Sequence, residues 1–359
     1  MCKRRKALLT WLGISVAFLA ALGLTPAAIG LARKFNIVDM PNQRKVHANP
    51  TPRLGGLAIY AGFVLGALAL VVYTRQVAAL LIAGTLVMLT GLVDDMKDIS
   101  PKLKLLGQVI AALVLVEAGY TVRFITNPFT GDMLSLGVLG VPITVLWLVG
   151  ISNAVNLIDG LDGLASGVSA IAAVSTAIVC LSQGEWTAAA LAGVLAAAAL
   201  GFLPWNFHQA KTFMGDCGAL FLGFILGALA LMGLSKGATV VSVFIPFIIL
   251  GIPVFDTFFA IIRRMLLKRP IFEADKMHLH QTLLSLGLSH RQTVLTIYAV
   301  SLVMGLAAVL MAVLARAEAM MVLIAVTLLT FLGADCLGVL RGKRLVFFRK
   351  KKEDHQSVA

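Results

Sequence analysis

The sequence predicts an all-α integral membrane protein of about eleven transmembrane helices, and three observations predict it. Of its 359 residues 59% are hydrophobic and only 13% charged, with a mean hydropathy of +0.95, a composition outside the range of soluble globular chains. The apolar runs reach the ~17 residues a helix needs to cross the hydrocarbon core, whereas strands of a membrane barrel alternate over roughly 10 residues. Only helices and closed barrels satisfy their backbone polar groups in lipid, so runs of this length are helices. Finally, Asp, Asn, His, Lys and Gly gather between the runs, and nearly every cluster falls in alternate loops.

Taken in order, the first run, Ala7 to Leu31, lies between the basic tetrad Lys3 to Lys6 and the pair Arg33-Lys34. It is longer than the roughly 7 to 15 apolar residues of a signal-peptide core and lacks a convincing cleavage site, so it counts as a span. Ten more follow: Leu54 to Tyr73, Val77 to Val93, Leu103 to Gly119, Val138 to Leu157, Gly163 to Ser182, Trp186 to Phe202, Cys217 to Leu234, Val240 to Ile262, Thr293 to Ala315 and Met320 to Leu340. Several are near the minimum length, which implies tilt or local thinning of the bilayer. Residues 1–340 form one multi-span unit and 341–359 a basic tail. Between spans four and five, Tyr120 to Gly137 has room for a small hairpin around Asn127-Pro128. The four cysteines are dispersed without a C-x-x-C pair, so neither a disulfide framework nor a zinc site is implied.

Eleven spans put the termini on opposite sides. The loops after odd-numbered spans, together with the C-terminal tail, hold 22 of the 30 Lys and Arg residues. The positive-inside rule places that side, including the C-terminus, in the cytoplasm and the N-terminus and hairpin outside, although the tetrad Lys3 to Lys6 pulls the other way. The cluster Arg341 to Lys352 reads as an anchor on anionic lipid rather than a nucleic-acid patch.

The polar clusters carry the chemistry. Asp94 and Asp95 close the third span in Gly91-Leu-Val-Asp-Asp95. A carboxylate at the bilayer centre costs about 2.5–3.5 kcal/mol, so a pair belongs at the interface. Adjacent on a helix, the two point about 100° apart and serve different tasks. Asn153, Asn156, Asp159 and Asp162 recur every three residues and make one polar stripe if helical, before a turn that Gly160 and Gly163 allow. Helix capping accounts for one such residue, not four. Asp216, in Phe213-Met-Gly-Asp-Cys-Gly218, stands between glycines that let backbone approach a ligand, and it is a candidate Mg²⁺ ligand. Asp256, in Pro253-Val-Phe-Asp-Thr257, reads equally as functional or as a helix-pairing residue. The loop from Arg263-Arg264 to Arg291 adds Lys268, Arg269, His278, His280 and Gln281. His at i and i+2 is poor spacing for a helix-borne zinc pair, so phosphate contact fits them better. No Walker, dinucleotide or H-E-x-x-H motif is present.

Together with Pro52-Arg-Leu-Gly-Gly56, these motifs, six in the same order from about residue 35 to 300, resemble the polyprenyl-phosphate N-acetylhexosamine-1-phosphate transferases. The resemblance implies a cytoplasmic active site, Mg²⁺ (or Mn²⁺) as cofactor, and attack of a lipid phosphate on a UDP-sugar with release of UMP in a bacterial plasma membrane. It is nearest to the branch that uses UDP-N-acetylglucosamine and undecaprenyl phosphate at the start of an envelope polysaccharide or teichoic acid. It is compatible with a homodimer. That branch often has His-x-His-His where this chain ends in Gln281, so no role transfers to Gln281. It further implies Asp216 with Asp159 at the metal and Asp94 or Asp95 at the lipid phosphate. Asn156, Asp162 and Phe213 would lie at the nucleotide, and Lys104, Arg263 or Arg264, His278 and His280 at the phosphates. Other readings are another UDP-HexNAc or UDP-MurNAc-pentapeptide as donor, an ion-coupled transporter, or a non-catalytic scaffold for lipid-linked intermediates. A transporter places its carboxylates near the midplane, often in repeated halves; here they gather at one interface.

Overall fold

The computed structural model describes residues 3–40, 50–126, 133–234, 244–266 and 278–336. Thirteen helices lie among them: α1 (Lys3–Lys34), α2 (Gly55–Ala69), α3 (Arg75–Lys97), α4 (Pro101–Glu117), α5 (Gly140–Ile158), α6 (Leu164–Ser182), α7 (Trp186–Asn206), α8 (Gly215–Leu234), α9 (Ile245–Ile249), α10 (Gly251–Leu266), α11 (Leu279–Ser285), α12 (His290–Val313) and α13 (Arg316–Cys336). Eight of them are long and apolar enough to span a membrane: α1, α3, α5 to α8, α12 and α13. The predicted second and fourth spans correspond to the shorter α2 and α4, of 15 and 17 residues.

The predicted ninth span is two helices with a break at Leu250. Pro253 is the cause: it has no N–H to give, and its ring clashes with the carbonyl four residues back, that of Ile249, where α9 ends. Pro26 inside α1 raises the same problem and meets a different solution. The carbonyl it cannot bond belongs to Leu22, and Trp205 Nε1 at the end of α7 donates to that oxygen at 3.1 Å. Hydroxyls along the spans are satisfied within their own helices, as where Thr25, Thr90 and Thr144 donate to the carbonyls of Ala21, Leu86 and Gly140.

The bundle is organised around α8, whose apolar stretch is 83% buried, against 17% in α1 and α13. Leu8, Trp11, Leu328 and Leu329 on those outer helices are exposed, as lipid-facing side chains should be. Helices α2, α3, α5, α6 and α7 all pack on α8. Gly56 of α2 and Gly218 of α8 meet backbone to backbone, and a Cβ on either would collide with the other. Ser152 of α5 donates to Leu220 O at 2.9 Å and Trp147 to Gly227 O at 3.0 Å, tying α5 along the length of α8.

Two antiparallel ribbons complete the described chain. β1 (Val38–Asp39) pairs with β2 (Thr51–Pro52), a feature too short to leave a sequence signal. β3 (Phe124–Thr126) and β4 (Met133–Ser135) form the hairpin expected between spans four and five, at the end of α4 remote from Lys104. Asn127 and Pro128, Lys268, Arg269 and the basic tail 341–359 lie outside the described residues.

Candidate active site

The site forms where the C-terminal ends of α3, α5 and α7 meet the N-terminal ends of α4, α6 and α8. The ribbon of β1 and β2 delivers its first support. Pro52 O accepts from Phe213 N at 2.8 Å and from Thr212 Oγ1 at 2.9 Å. Gly55 N and Gly56 N in turn donate to Phe213 O and Met214 O, each at 2.9 Å. The segment before α8 is thereby laced to the start of α2. Gly215 has φ +68°, and a Cβ there would strike the Arg53 carbonyl and the Asp95 carboxylate, so only glycine fits.

Asp94 and Asp95 diverge as their helical spacing requires. Asp95 turns inward: its oxygens accept from Asp216 N at 2.9 Å and Cys217 N at 3.0 Å, the unpaired amides at the start of α8. Arg53 lies 3.4 Å from it. Asp94 turns to the open side, accepts from Ile99 N at 3.0 Å, and pairs with Lys104 Nζ at 3.1 Å. Lys104 Nζ also bonds Asp216 Oδ2 and reaches Asn156 Oδ1 at 3.5 Å, while Asn156 Nδ2 donates to Asp216 Oδ1 at 2.9 Å. One lysine of α4 thus joins residues of α3, α5 and α8. A cavity of about 240 Å³ opens beside it, lined by Asp94, Ile99, Pro101, Lys104, Leu105, Gln108 and Asn153.

The predicted polar stripe divides in two because α5 ends at Ile158. Asn153 and Asn156 are helical, Asn153 bonding Gln108 of α4 at 2.5 Å. Asp159 caps α5 and Asp162 lies in the turn, where it accepts from Ala210 N at 3.0 Å and so holds the loop between α7 and α8. Asp159 keeps some exposure but is ringed by protein. That burial, then repulsion from Asp216, Asp95 and Asp162, pushes its carboxyl up to about 8, against a smaller pull from Arg53. The turn is fixed from below by Asn206, buried at the end of α7, which accepts from Gly163 N at 3.1 Å and Ser166 Oγ at 2.9 Å.

The histidines approach from the other flank. The rings of His278 and His280 are parallel within 2°, with centroids 5.9 Å apart. His280 packs on Gly160, in the same turn as Asp159 and Asp162. Burial, helped by His278 and His290 and opposed by Asp256, lowers the His280 imidazole to about 4, so it is neutral at pH 7. Arg263, buried, and Arg264, partly exposed, occupy the last turn of α10, which packs on α5. Gln281 Oε1 is buried without a hydrogen-bond partner.

Among the described residues no three His, Cys, Asp or Glu side chains gather as a metal cluster. The donor set nevertheless suits one kind of ion. Asp94 and Asp216 already converge on a cation, the Lys104 ammonium, with Asp159 close by. Mg²⁺ takes one or two protein carboxylates and fills its other positions with phosphate oxygens and water. Gln108, Asn206, Arg53 and Tyr298, which donates to Gly163 O, are site-shaping residues that sequence reasoning missed or passed over. A single polar residue in an apolar helix signals only that it will be paired.

Known proteins with this pattern settle the family. The profile of glycosyl transferase family 4 matches residues 77–234. The "Probable undecaprenyl-phosphate N-acetylglucosaminyl 1-phosphate transferase" of Bacillus subtilis is 43% identical over 297 residues, 82% of this chain and 83% of that one. The "Decaprenyl-phosphate N-acetylglucosaminephosphotransferase" of Mycolicibacterium smegmatis is 37% identical, covering 80% and 81%. The "Phospho-N-acetylmuramoyl-pentapeptide-transferase" of Halalkalibacterium halodurans is 31% identical, covering 83% and 96%. Ordered motifs, a helical membrane bundle and relatives matched over most of their length agree: this chain belongs to glycosyl transferase family 4 and is a phosphotransferase that loads N-acetylhexosamine 1-phosphate onto a polyprenyl phosphate.

Proposed function

We propose that the protein transfers N-acetylglucosamine 1-phosphate from UDP-GlcNAc to undecaprenyl phosphate, releasing UMP, as the first membrane step of an envelope polysaccharide or teichoic acid pathway. The observation that carries this reading is the single charged centre in which Lys104 joins Asp94, Asn156 and Asp216 from four helices at one end of the bundle. The names of the relatives support the acceptor and the sugar.

Phosphoryl transfer needs positioning and charge neutralisation more than covalent help. An oxygen of the lipid phosphate attacks the sugar-linked phosphorus of the donor, the bond from that phosphorus to the bridging oxygen breaks, and UMP leaves with that oxygen. Asp216, with Asp159, would hold Mg²⁺ (Mn²⁺ is the alternative). When bound, the ion supplies positive charge against the diphosphate as the leaving group departs. Asn156 keeps Asp216 in its orientation, and Asp95 fixes the helix start beneath it. Asp94 orients the lipid phosphate. Its work as a base is small, because a phosphate monoester with a second pKa of about 6 is already mostly dianionic at pH 7. Lys104, with Arg263 or Arg264, offers charge to the phosphate oxygens, and His278 and His280 offer hydrogen bonds. Phe213 stacks on the uracil, and Asp162 holds the loop beside it.

We infer further that this face is cytoplasmic, from the excess of basic residues on its side. Asp98→Cys, at the site end of α3, should be labelled only after permeabilisation, and Tyr73→Cys, before its other end, in intact cells; the reverse pattern overturns the orientation. The reaction is tested with purified protein, undecaprenyl phosphate and Mg²⁺ while UMP is followed. UDP-GlcNAc should give UMP. Release only with another UDP-HexNAc or with UDP-MurNAc-pentapeptide moves the donor assignment, and no release with any of them overturns the reading.

A further inference from the structure

Asp256 has no task in the transfer described above, yet its place is a demanding one. It sits in α10, part of the broken ninth span, with 6% of its surface exposed, and a buried carboxylate is costly unless its charge is hydrogen-bonded. Both oxygens are directed to the start of α11, 22 residues further on. His278 Nδ1 lies 2.7 Å from Oδ2, an acceptor when the carboxyl is ionised, and the backbone N–H of Leu279 donates to Oδ1 at 2.8 Å. His278 is the N-cap residue of α11 but makes no side-chain cap of its own, so a carboxylate from another helix satisfies that helix start. A carboxylate that binds one ring nitrogen fixes both the tautomer and the plane of an imidazole. Here the bound nitrogen is Nδ1, which leaves Nε2 as the atom His278 can offer a ligand. The parallel stacking of His278 and His280 carries the same constraint to the ring that rests on Gly160, next to Asp159.

We propose that Asp256 is the positioning residue of the transfer: from inside the bundle it takes the Nδ1–H of His278 and so directs Nε2, which donates to a phosphate oxygen when it carries the second proton of the ring, at the substrate phosphates, and it anchors α11 beside the Asp159 turn. The proposal rests on the transferase reading for the identity of the substrate.

The test is a double-mutant cycle in the UMP-release assay, on full-length protein checked for a single monodisperse species. Asp256→Asn should lower kcat about 10- to 100-fold, the loss typical when a residue that orients an active group is removed, with KM for UDP-GlcNAc changed less than about threefold. In a His278→Gln background the same substitution should cost at least about threefold less than it does in the wild type, because the ring it holds is gone and only its bond to Leu279 N–H remains. Losses that simply multiply would overturn the proposal, since a merely structural Asp256 acts whatever residue stands at 278. If Asp256→Asn does not fold, Asp256→Glu, which keeps the charge at a shifted distance, takes its place in the cycle with the same expected non-additivity. A second readout does not depend on turnover: ¹⁵N spectra of the histidines should show the Nδ1–H form of His278 in the wild type and a mixture of tautomers in Asp256→Asn, and an unchanged tautomer sinks the proposal. A wild type that releases no UMP while the tautomer shifts as expected would strike the transferase reading and leave the positioning role standing.

Discussion

Two helix starts among the described residues are organised by a carboxylate belonging to another helix, and they are built differently. At α8, Asp95 of α3 takes two backbone amides, Arg53 stands 3.4 Å away, and the glycine contact between α2 and α8 packs the same junction from behind. At α11, Asp256 binds both the helix start and its histidine, with Leu283 buried in the core behind them. The first junction carries Asp216 and the second carries His278 and His280. The start of α8, which carries Asp216, is packed on several sides, whereas the two histidines reach the site from a seven-residue helix whose start Asp256 binds. Damage at α8 should therefore reach the fold, and damage at α11 mainly the geometry.

The largest effect should come from Asp216 itself. Asp216→Asn keeps an oxygen for Lys104 and much of the shape but removes the charge offered to Mg²⁺, and turnover should fall by at least about 10³-fold with thermal stability little changed. Substantial UMP release at saturating Mg²⁺ would take Asp216 out of the metal site. Beneath it, Asp95→Asn leaves Arg53 without its buried partner and offers two amides a weaker acceptor. A loss of about 3 kcal/mol or more is expected, seen as a lower midpoint in thermal unfolding and a poor yield of folded protein, with turnover per folded molecule falling less than for Asp216→Asn. An Asp95→Asn protein as stable as the wild type would show that the α8 start is not held by this carboxylate.

The two junctions also differ in how far the sequence reveals them. The eight long spans were legible because length and apolarity alone define them in lipid, and the divergence of Asp94 from Asp95 followed from helix geometry. Spacing also brought Asn153, Asn156, Asp159 and Asp162 to notice, but it could not show that α5 ends at Ile158 and hands the last two to a turn. Nor could it show that Asn156 would bind Asp216, 60 residues away, or that Asp256 would bind His278. Those pairings exist only once helices distant in sequence pack side by side. The two-residue β1 and β2 left no periodicity to read, although they place Pro52 and Arg53 against the start of α8.

A smaller effect separates the α11 side by pH. The His280 imidazole, lowered to about 4 chiefly by burial, is neutral in the folded protein where its unfolded counterpart, near 6.5, is already protonated. Between these values the unfolded chain holds more protons, so stability from this group is complete above about pH 6.5 and is lost as pH falls towards 4, by roughly 3 kcal/mol in all. Unfolding midpoints measured from pH 7 to 4.5 should fall less steeply for His280→Gln than for the wild type. Parallel curves would mean that the ring is not buried in its neutral form.

The smallest effect belongs to Phe213, at the α8 junction, which we propose stacks on the uracil. Its backbone is fixed by Pro52 and Gly55, its side chain is partly exposed, and Asp216 follows three residues later. Stacking of an aromatic ring on a base contributes about 1–3 kcal/mol, so Phe213→Ala should raise KM for UDP-GlcNAc roughly tenfold. Because the uracil is bound alike in ground and transition states, kcat should stay within about threefold. Phe213→Tyr, which keeps the ring face, should restore KM. A variant that lowered kcat and left KM alone would put the ring against the reacting phosphates instead, and the uracil would have to lie along another wall of the site.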